Sequence, residues 1–323
     1  MSFILKISKF AFNLIIGLLV VSCAHDRQVV PYDLDIDEIY KALEPNDEET
    51  PEGVTYGKNN IQGFIFDYDF TTDNQDIYVY FANFTAMDIN PAITQHLFEF
   101  VEGQLHEFGF VSDSLSLPSG RMEQLISEGL NYKEAAARII DYLKEGFEAN
   151  VPEIEKFDCP FNITFQVYPI YLDDNYVTYR ELSYSYTGGA HGMTESYLIT
   201  YDLKSGKPLT PEEIIKPERM SEVSGEVAAH MAYSYPIYEN ITTVEQYIDS
   251  LNVWVGTFNG EDAADHDNRI TAANFPLEDV ALTKEGLAVV YQMYELTPGS
   301  DGVPIVVIPY RDIRGCLNDN ISN

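Results

Sequence analysis

Tyr184-Ser185-Tyr186-Thr187-Gly188-Gly189-Ala190-His191-Gly192 is the stretch on which the reading of this chain turns, a tyrosine-rich run entering a glycine-rich turn, with a second aromatic run after it. Glycine reaches positive φ at no steric cost, so the turn reverses the chain tightly and the flanking runs read as two strands. The incoming strand starts at Tyr176, after the turn-forming Asp173-Asp174-Asn175, and carries Leu182, Tyr184 and Tyr186 on one face. The outgoing strand puts Tyr197, Ile199, Tyr201 and Leu203 on one face and ends at Lys204-Ser205-Gly206-Lys207.

Working outward, Phe161, Ile163, Phe165 and Val167 alternate with polar residues, and Pro169 places the far end of that strand at an edge or bulge. Downstream, Thr210-Pro211-Glu212-Glu213 matches a capping box with proline at the first helical position. Met220, Val223, Val227 and Met231 mark a longer helix, and Thr242 with Glu245 caps a third, striped by Val244, Ile248 and Leu251. After a polar excursion from Asn259 to Ala273 come strands over Leu277–Leu282, Leu287–Leu296 and Val303–Pro309, then a closing helix over Arg311–Leu317. Upstream, alternating Phe64, Phe66, Tyr68 and Phe70 and the apolar run Ile77–Phe84 read as a hairpin. Asn90-Pro91 opens a helix striped by Ile93, Leu97, Val101, Leu105 and Phe108; Asn131 with Glu134 caps another, striped by Ala136, Ile139, Ile140, Leu143 and Phe147. Runs of hairpins with helices inserted predict an α+β fold of antiparallel sheets with helices packed mainly on one face, in two consecutive units, 61–155 and 156–318.

Lys6 and Lys9 precede an apolar run, Phe10–Val21, too short to span a bilayer and shaped like a secretory signal peptide over residues 1–22. The run closes on Leu19-Val20-Val21-Ser22-Cys23, which resembles the bacterial lipobox, so Cys23 is the expected lipidation site. Residues 23–60 are acidic and hold Pro31, Pro45 and Pro51, the composition of a tether reaching roughly 30–35 Å. The expected location is the cell envelope, periplasmic or surface-exposed on the outer membrane, held by acyl groups. A formal charge of −33 excludes nucleic acid as a partner, because phosphate neutralisation needs clustered Lys and Arg. The same charge steers a cationic partner inward and also serves solubility. Cys159 and Cys316 either form one bridge or stay as two buried thiols, and without nearby histidines they make no zinc site.

The run Tyr184–Asp202 with its Tyr-Thr-Gly-Gly-Ala-His-Gly core, then Asp202-Leu203-Lys204-Ser205-Gly206-Lys207, Leu209-Thr210, Tyr291-Gln292-Met293-Tyr294-Glu295 and Ile308-Pro309-Tyr310, resembles the extracytoplasmic C-terminal domain of the anti-sigma factor RsiV. The likeness covers about residues 161–317. Residues 55–155 more weakly resemble the domain that accompanies it and also occurs in the peptidoglycan deacetylase PdaC. In RsiV the domain binds lysozyme, so the resemblance implies an envelope location and a cell-wall-associated ligand, a glycan or a basic protein. The chain shows neither a sigma-binding segment nor a spanning helix, and no polysaccharide deacetylase domain, so neither of those activities is expected.

The candidate ligand-binding residues are Tyr184, Tyr186, Thr187, Gly188, Gly189, His191 and Tyr197, joined by Tyr201, Tyr291 and Tyr294 as an aromatic platform on which sugar rings stack. Cross-strand aromatic pairing within the sheet is the competing use of these rings. His191 is the titratable group of the turn suited to acid–base work, but no nucleophile-elbow spacing surrounds Ser183, Ser185 and Thr187, and no Gly-Lys-Ser/Thr follows the glycines to bind phosphate. Glu261–Asp267 is rich in oxygen ligands yet lacks the glycine and closing glutamate of an EF-hand loop. Neither cofactor nor metal is expected. The leading expectation is a non-enzymatic envelope protein that binds a glycan or a basic protein such as lysozyme; the alternative is an enzyme on cell-wall sugars or peptides with His191 as acid or base.

Overall fold

The computed structural model describes residues 90–107, 120–154, 161–186, 188–238, 240–259 and 269–321, and the backbone of strands within 54–84. The expected leader, Cys23, the tether as far as residue 53, Cys159, Thr187 and the acidic loop 261–267 lie outside the described residues, whereas the last residues of the expected tether pair as short strands. A short pair, β1 (Val54–Tyr56) and β2 (Asn59–Ile61), precedes β3 (Gly63–Thr71) and β4 (Gln75–Phe84). Three helices follow, α1 (Pro91–Glu107), α2 (Arg121–Ser127) and α3 (Tyr132–Ile154). Then come β5 (Phe161–Leu172), β6 (Tyr176–Tyr186) and β7 (Met193–Asp202). The chain continues through α4 (Pro211–Ile214), α5 (Met220–Ser234) and α6 (Val244–Asn259). It finishes with β8 (Val280–Leu282), β9 (Gly286–Val290), β10 (Ile305–Pro309) and α7 (Tyr310–Ile313).

The fold is α+β, as the pattern of hairpins and inserted helices predicts. Five strands form one sheet in the order β3-β4-β5-β6-β7, and three form a second in the order β10-β9-β8. Pairing is antiparallel at every junction but one: β4 and β5 run parallel, with Gln75 opposite Phe161 and Phe81 opposite Val167. A parallel neighbour requires a long crossover, and α1–α3 supply it. That pairing lies across the expected unit boundary at residue 156, so the larger sheet takes strands from both sides of it. Pro169 marks a bulge, where the β5–β6 register shifts between Pro169 and Tyr171.

Four layers result, each pair sealed by its own apolar cluster. Ile93, Leu97 and Val101 of α1 and Ala136, Ile139 and Leu143 of α3 pack on Ile163, Phe165 and Val167 of β5 and on Val177 and Tyr179 of β6. The opposite face of the larger sheet meets the smaller one, where Leu198 packs with Ala281, Ala288, Val290, Ile305 and Val307. Leu287, Val289, Val306 and Ile308 point the other way, onto Val223, Val227 and Met231 of α5 and Tyr247 and Leu251 of α6. This explains why β9 and β10 read as unbroken apolar runs: each is covered on both sides, and successive residues serve alternate clusters. Each sheet thus carries its helices on one face and the other sheet on its second.

Between the sheets the polar groups are paired. The Thr178 and Thr200 hydroxyls lie 2.8 Å apart; Thr178 donates to the Leu282 carbonyl at 2.7 Å and Thr200 accepts the Leu282 N–H at 2.9 Å. At Gly286 an added Cβ would fall 2.0 Å from the Ile308 carbonyl oxygen, so the β9–β10 ladder admits only glycine there.

Local signals set the helix starts. Asn90 accepts the Ala92 N–H at 3.1 Å, and Asn131 with Glu134, like Thr210 with Glu213, forms the reciprocal capping box. The α6 cap sits one residue later than expected: Thr243, not Thr242, accepts the Gln246 N–H at 3.2 Å. The Gln246 amide oxygen meanwhile takes the Thr242 N–H at 2.9 Å. The strand expected over Leu287–Leu296 ends at Val290, because Gln292 bonds to the neighbouring sheet and Tyr294 takes a φ of 67°.

Candidate functional site

β6 and β7 pair antiparallel as far as Ser185 opposite Met193, leaving the glycine turn as the hairpin tip. Gly188 and Gly189 take φ of 91° and 116°, the left-handed backbone that the reversal needs. Gly188, Gly189, Ala190 and His191 are exposed. Tyr186 donates its hydroxyl to the Gly189 carbonyl at 3.1 Å, tying the tip to its own strand. Tyr184, 36% exposed, lays its ring over Gly192, where an added Cβ would lie 2.5 Å from it.

The imidazole of His191 is used twice by the fold. Its Nδ1 bonds the Gly192 carbonyl at 2.9 Å, and a carbonyl can only accept, so the ring hydrogen sits on Nδ1. Nε2 is then the acceptor for the Tyr294 hydroxyl, also at 2.9 Å. Tyr294 is held in turn by its positive φ and by Gly299, whose missing side chain leaves room for the ring. Next to this latch, Gln292 Nε2 donates to the Ser196 carbonyl at 2.8 Å and Gln292 Oε1 accepts the Ser196 N–H at 3.1 Å. The 291–299 loop is therefore fastened along the outer edge of β7.

The structure divides the expected tyrosine platform. Tyr201 is 0% exposed and shares a 2.5 Å hydrogen bond with His96 Nδ1; Tyr291 is 1% exposed and donates to the Pro276 carbonyl at 2.7 Å. Both are core residues. Tyr197 is opposite Glu181, on the helix-covered face, with its ring edge-to-face against Phe100 at 6.4 Å between centroids. Tyr184 and Tyr186 occupy the other face of β6. The tip therefore unites Tyr184, Tyr186, Gly188, Gly189, His191 and Tyr294, and Tyr197 stands apart from them. Of the two cysteines, Cys316 is a buried free thiol, its pKa pushed up to about 11 by burial and by Glu222.

Glu181 is the residue that the motif reading passes over. It lies within β6, 3% exposed, and one of its carboxylate oxygens has no hydrogen-bond partner. Burial pushes its pKa up to about 8. Arg180 cannot serve it, because adjacent strand residues face opposite ways. Arg180 instead donates from Nε to the Ser196 hydroxyl at 3.1 Å and from Nη1 to the Tyr168 hydroxyl at 3.2 Å, between the sheets. The signal available in the sequence is the Arg180-Glu181 pair itself, two charges inside a strand that is otherwise apolar and hydroxylated. No group of three or more His, Cys, Asp or Glu fit to hold a metal ion occurs among the described residues.

Fold and tip together define a class: a layered α+β protein with an exposed glycine–tyrosine hairpin latched by a histidine–tyrosine contact. Residues 231–311 match the family model described as a protein of unknown function, DUF3298. That span runs from the end of α5 through the second sheet and includes Gln292 and Tyr294, but not the hairpin they fasten. Among solved structures the chain is similar to a DUF3298-family member from Bacteroides fragilis, at 18% identity over 80% of this chain and 94% of that one, with a TM-score of 0.49. It is also similar to a DUF3298-family protein from Pseudomonas aeruginosa, at 16% identity over 81% and 97%, with a TM-score of 0.45. No curated protein matches it.

Proposed function

We propose that this is a lipid-anchored, non-enzymatic protein of the bacterial cell envelope that binds a cell-wall glycan or a basic protein such as lysozyme through the face bearing the β6–β7 hairpin. The observation that carries the reading is the state of the tip. Its backbone amides and the Tyr184 ring are offered to solvent, while His191, the acid–base residue of the turn, has both nitrogens engaged in holding the loop. Such a surface is suited to recognition, with tyrosine supplying apolar area and a polar handle. The formal charge of −33 steers a basic ligand, and the likeness of the Tyr184–Asp202 run to RsiV-type domains supports the same direction. The lipobox ending at Cys23 supports the anchored location.

Calorimetric titration of residues 24–323 with lysozyme and with muropeptides, at low and physiological salt, tests the proposal. Saturable binding of either ligand that persists at physiological salt is the expected outcome. Association that vanishes with salt marks charge attraction alone, and silence with both ligands refutes the reading. Turnover of peptidoglycan that disappears in His191→Ala would replace binding with catalysis.

A further inference from the structure

The outer edge of the larger sheet carries carboxylates that no salt bridge among the described residues neutralises. Ser183 faces Glu195 across the β6–β7 pair, and Glu181 faces Tyr197 one step along, so Glu181 and Glu195 are diagonal neighbours on one face. The Ser183 hydroxyl reaches Glu195 Oε2 at 3.5 Å. Burial first, and then the charges of Glu195, Asp279, Glu107 and Glu181, raise the pKa of the Tyr197 hydroxyl. Asp279 in turn is held up by burial and by Glu278, and Glu295 by burial with Asp279 and Glu278 as neighbours. Glu278, Glu295 and Glu107 are exposed, Asp279 and Glu195 half-buried, and Glu181 is buried one strand in from the edge. Among the described residues none of the six makes a salt bridge. Glu181 lies at the inner end with an oxygen that nothing satisfies.

A buried carboxyl group with an unsatisfied oxygen, on the face that also carries Glu195 and the Tyr197 ring, is the complement of a cationic side chain. Carboxylates supply charge and acceptors for its N–H groups, and aromatic faces attract the same cation. We propose that this seam along β7, with Glu181 at its inner end, is the docking site for arginine or lysine side chains of a basic polypeptide. The inference rests on the basic-protein half of the functional reading and names its subsite. The seam lies next to the latch, since Ser196 and Gln292 join β7 to the loop that carries Glu295.

Docking there moves a proton. In the unliganded protein Glu181 is mostly protonated at neutral pH; pairing with a cation stabilises the carboxylate, and its proton leaves to the buffer. Tyr197 and Glu195 of β7 share the face of Glu181, the Tyr201 hydroxyl, bonded to His96, feels its charge, and Glu107 of α1 acts on the same Tyr197 hydroxyl as Glu181 does.

The test is calorimetry of residues 24–323 with three probes, lysozyme, an octa-arginine peptide and a muropeptide, at physiological salt in two buffers of different ionisation enthalpy. The expected result is that a cationic probe binds with release of close to one proton, that its affinity rises roughly tenfold per pH unit below pH 8, and that Glu181→Gln abolishes both the release and the pH dependence. Asp279→Asn, at a less buried position, weakens the same probe without removing the proton release. Binding of a cationic probe with no proton release, or unchanged by Glu181→Gln, overturns the seam while leaving a basic ligand in place elsewhere. Muropeptide binding without any cationic binding overturns the seam and keeps the glycan half of the functional reading, and silence with all three probes overturns both.

Discussion

Replacing Glu181 by glutamine removes an ionisable group from between the larger sheet and its helices without changing its shape. The folded group titrates at about 8 against an ordinary value of 4.5, with burial as the cause. Between those two pH values the folded protein holds a proton that the unfolded chain has released, so wild-type stability falls as pH rises through the window and levels off above it. At ~1.4 kcal/mol per unit, the group withholds about 4–5 kcal/mol from the fold at pH 8 and almost nothing at pH 4.5. Glutamine, neutral throughout, escapes that cost. Urea unfolding of both proteins at half-unit steps from pH 4.5 to 9 measures the difference, provided the m-values agree. The variant should match wild type at the acid end and exceed it by several kcal/mol at pH 8. A difference that does not change with pH, or a variant less stable at pH 8, refutes the assignment of Glu181 as a buried carboxyl whose raised pKa comes from burial.

Two glycines that a sequence alone treats alike should behave differently. Gly286→Ala drives a methyl into the Ile308 backbone and should cost about 2–3 kcal/mol in urea unfolding. Gly192→Ala meets the far end of the Tyr184 ring, which can swing aside; it should cost under ~1 kcal/mol while changing tyrosine fluorescence, and a large loss of stability there would contradict the exposed placement of that ring. Cys316, with its thiol pKa pushed up to about 11, should resist iodoacetamide at pH 8 in the native protein and react promptly in urea, read by peptide mass spectrometry. Equal rates in both states would show that the thiol is open to solvent.

Much of the architecture was legible from local chemistry. The glycine turn, the Pro169 bulge and the caps at Asn90, Asn131 and Thr210 each rest on a few neighbouring residues, and each appears where those residues sit. Long-range pairing was not legible. Nothing local in Ile77–Phe84 says that it will lie parallel to Phe161–Leu172, because that contact depends on how the intervening helices cross. Which tyrosines serve the core and which the surface was not legible for a related reason. Alternation shows which of them share a face, but not whether a helix or a second sheet covers that face, so Tyr201 and Tyr291 sank into the core while Tyr184 stayed in view. Glu181 escaped notice because a charged residue in a strand is read as pointing to water, and here the layer of α1 to α3 closes over it.

β7 ends the larger sheet, and an open sheet margin invites a foreign strand to add itself. By offering its amide to Ser196 in both directions, Gln292 imitates one rung of a sixth strand and occupies the place where such an intruder would begin. Gln292→Ala would leave that rung vacant. The variant should then self-associate at concentrations where the parent chain stays dispersed, a change visible in sedimentation before any loss of fold.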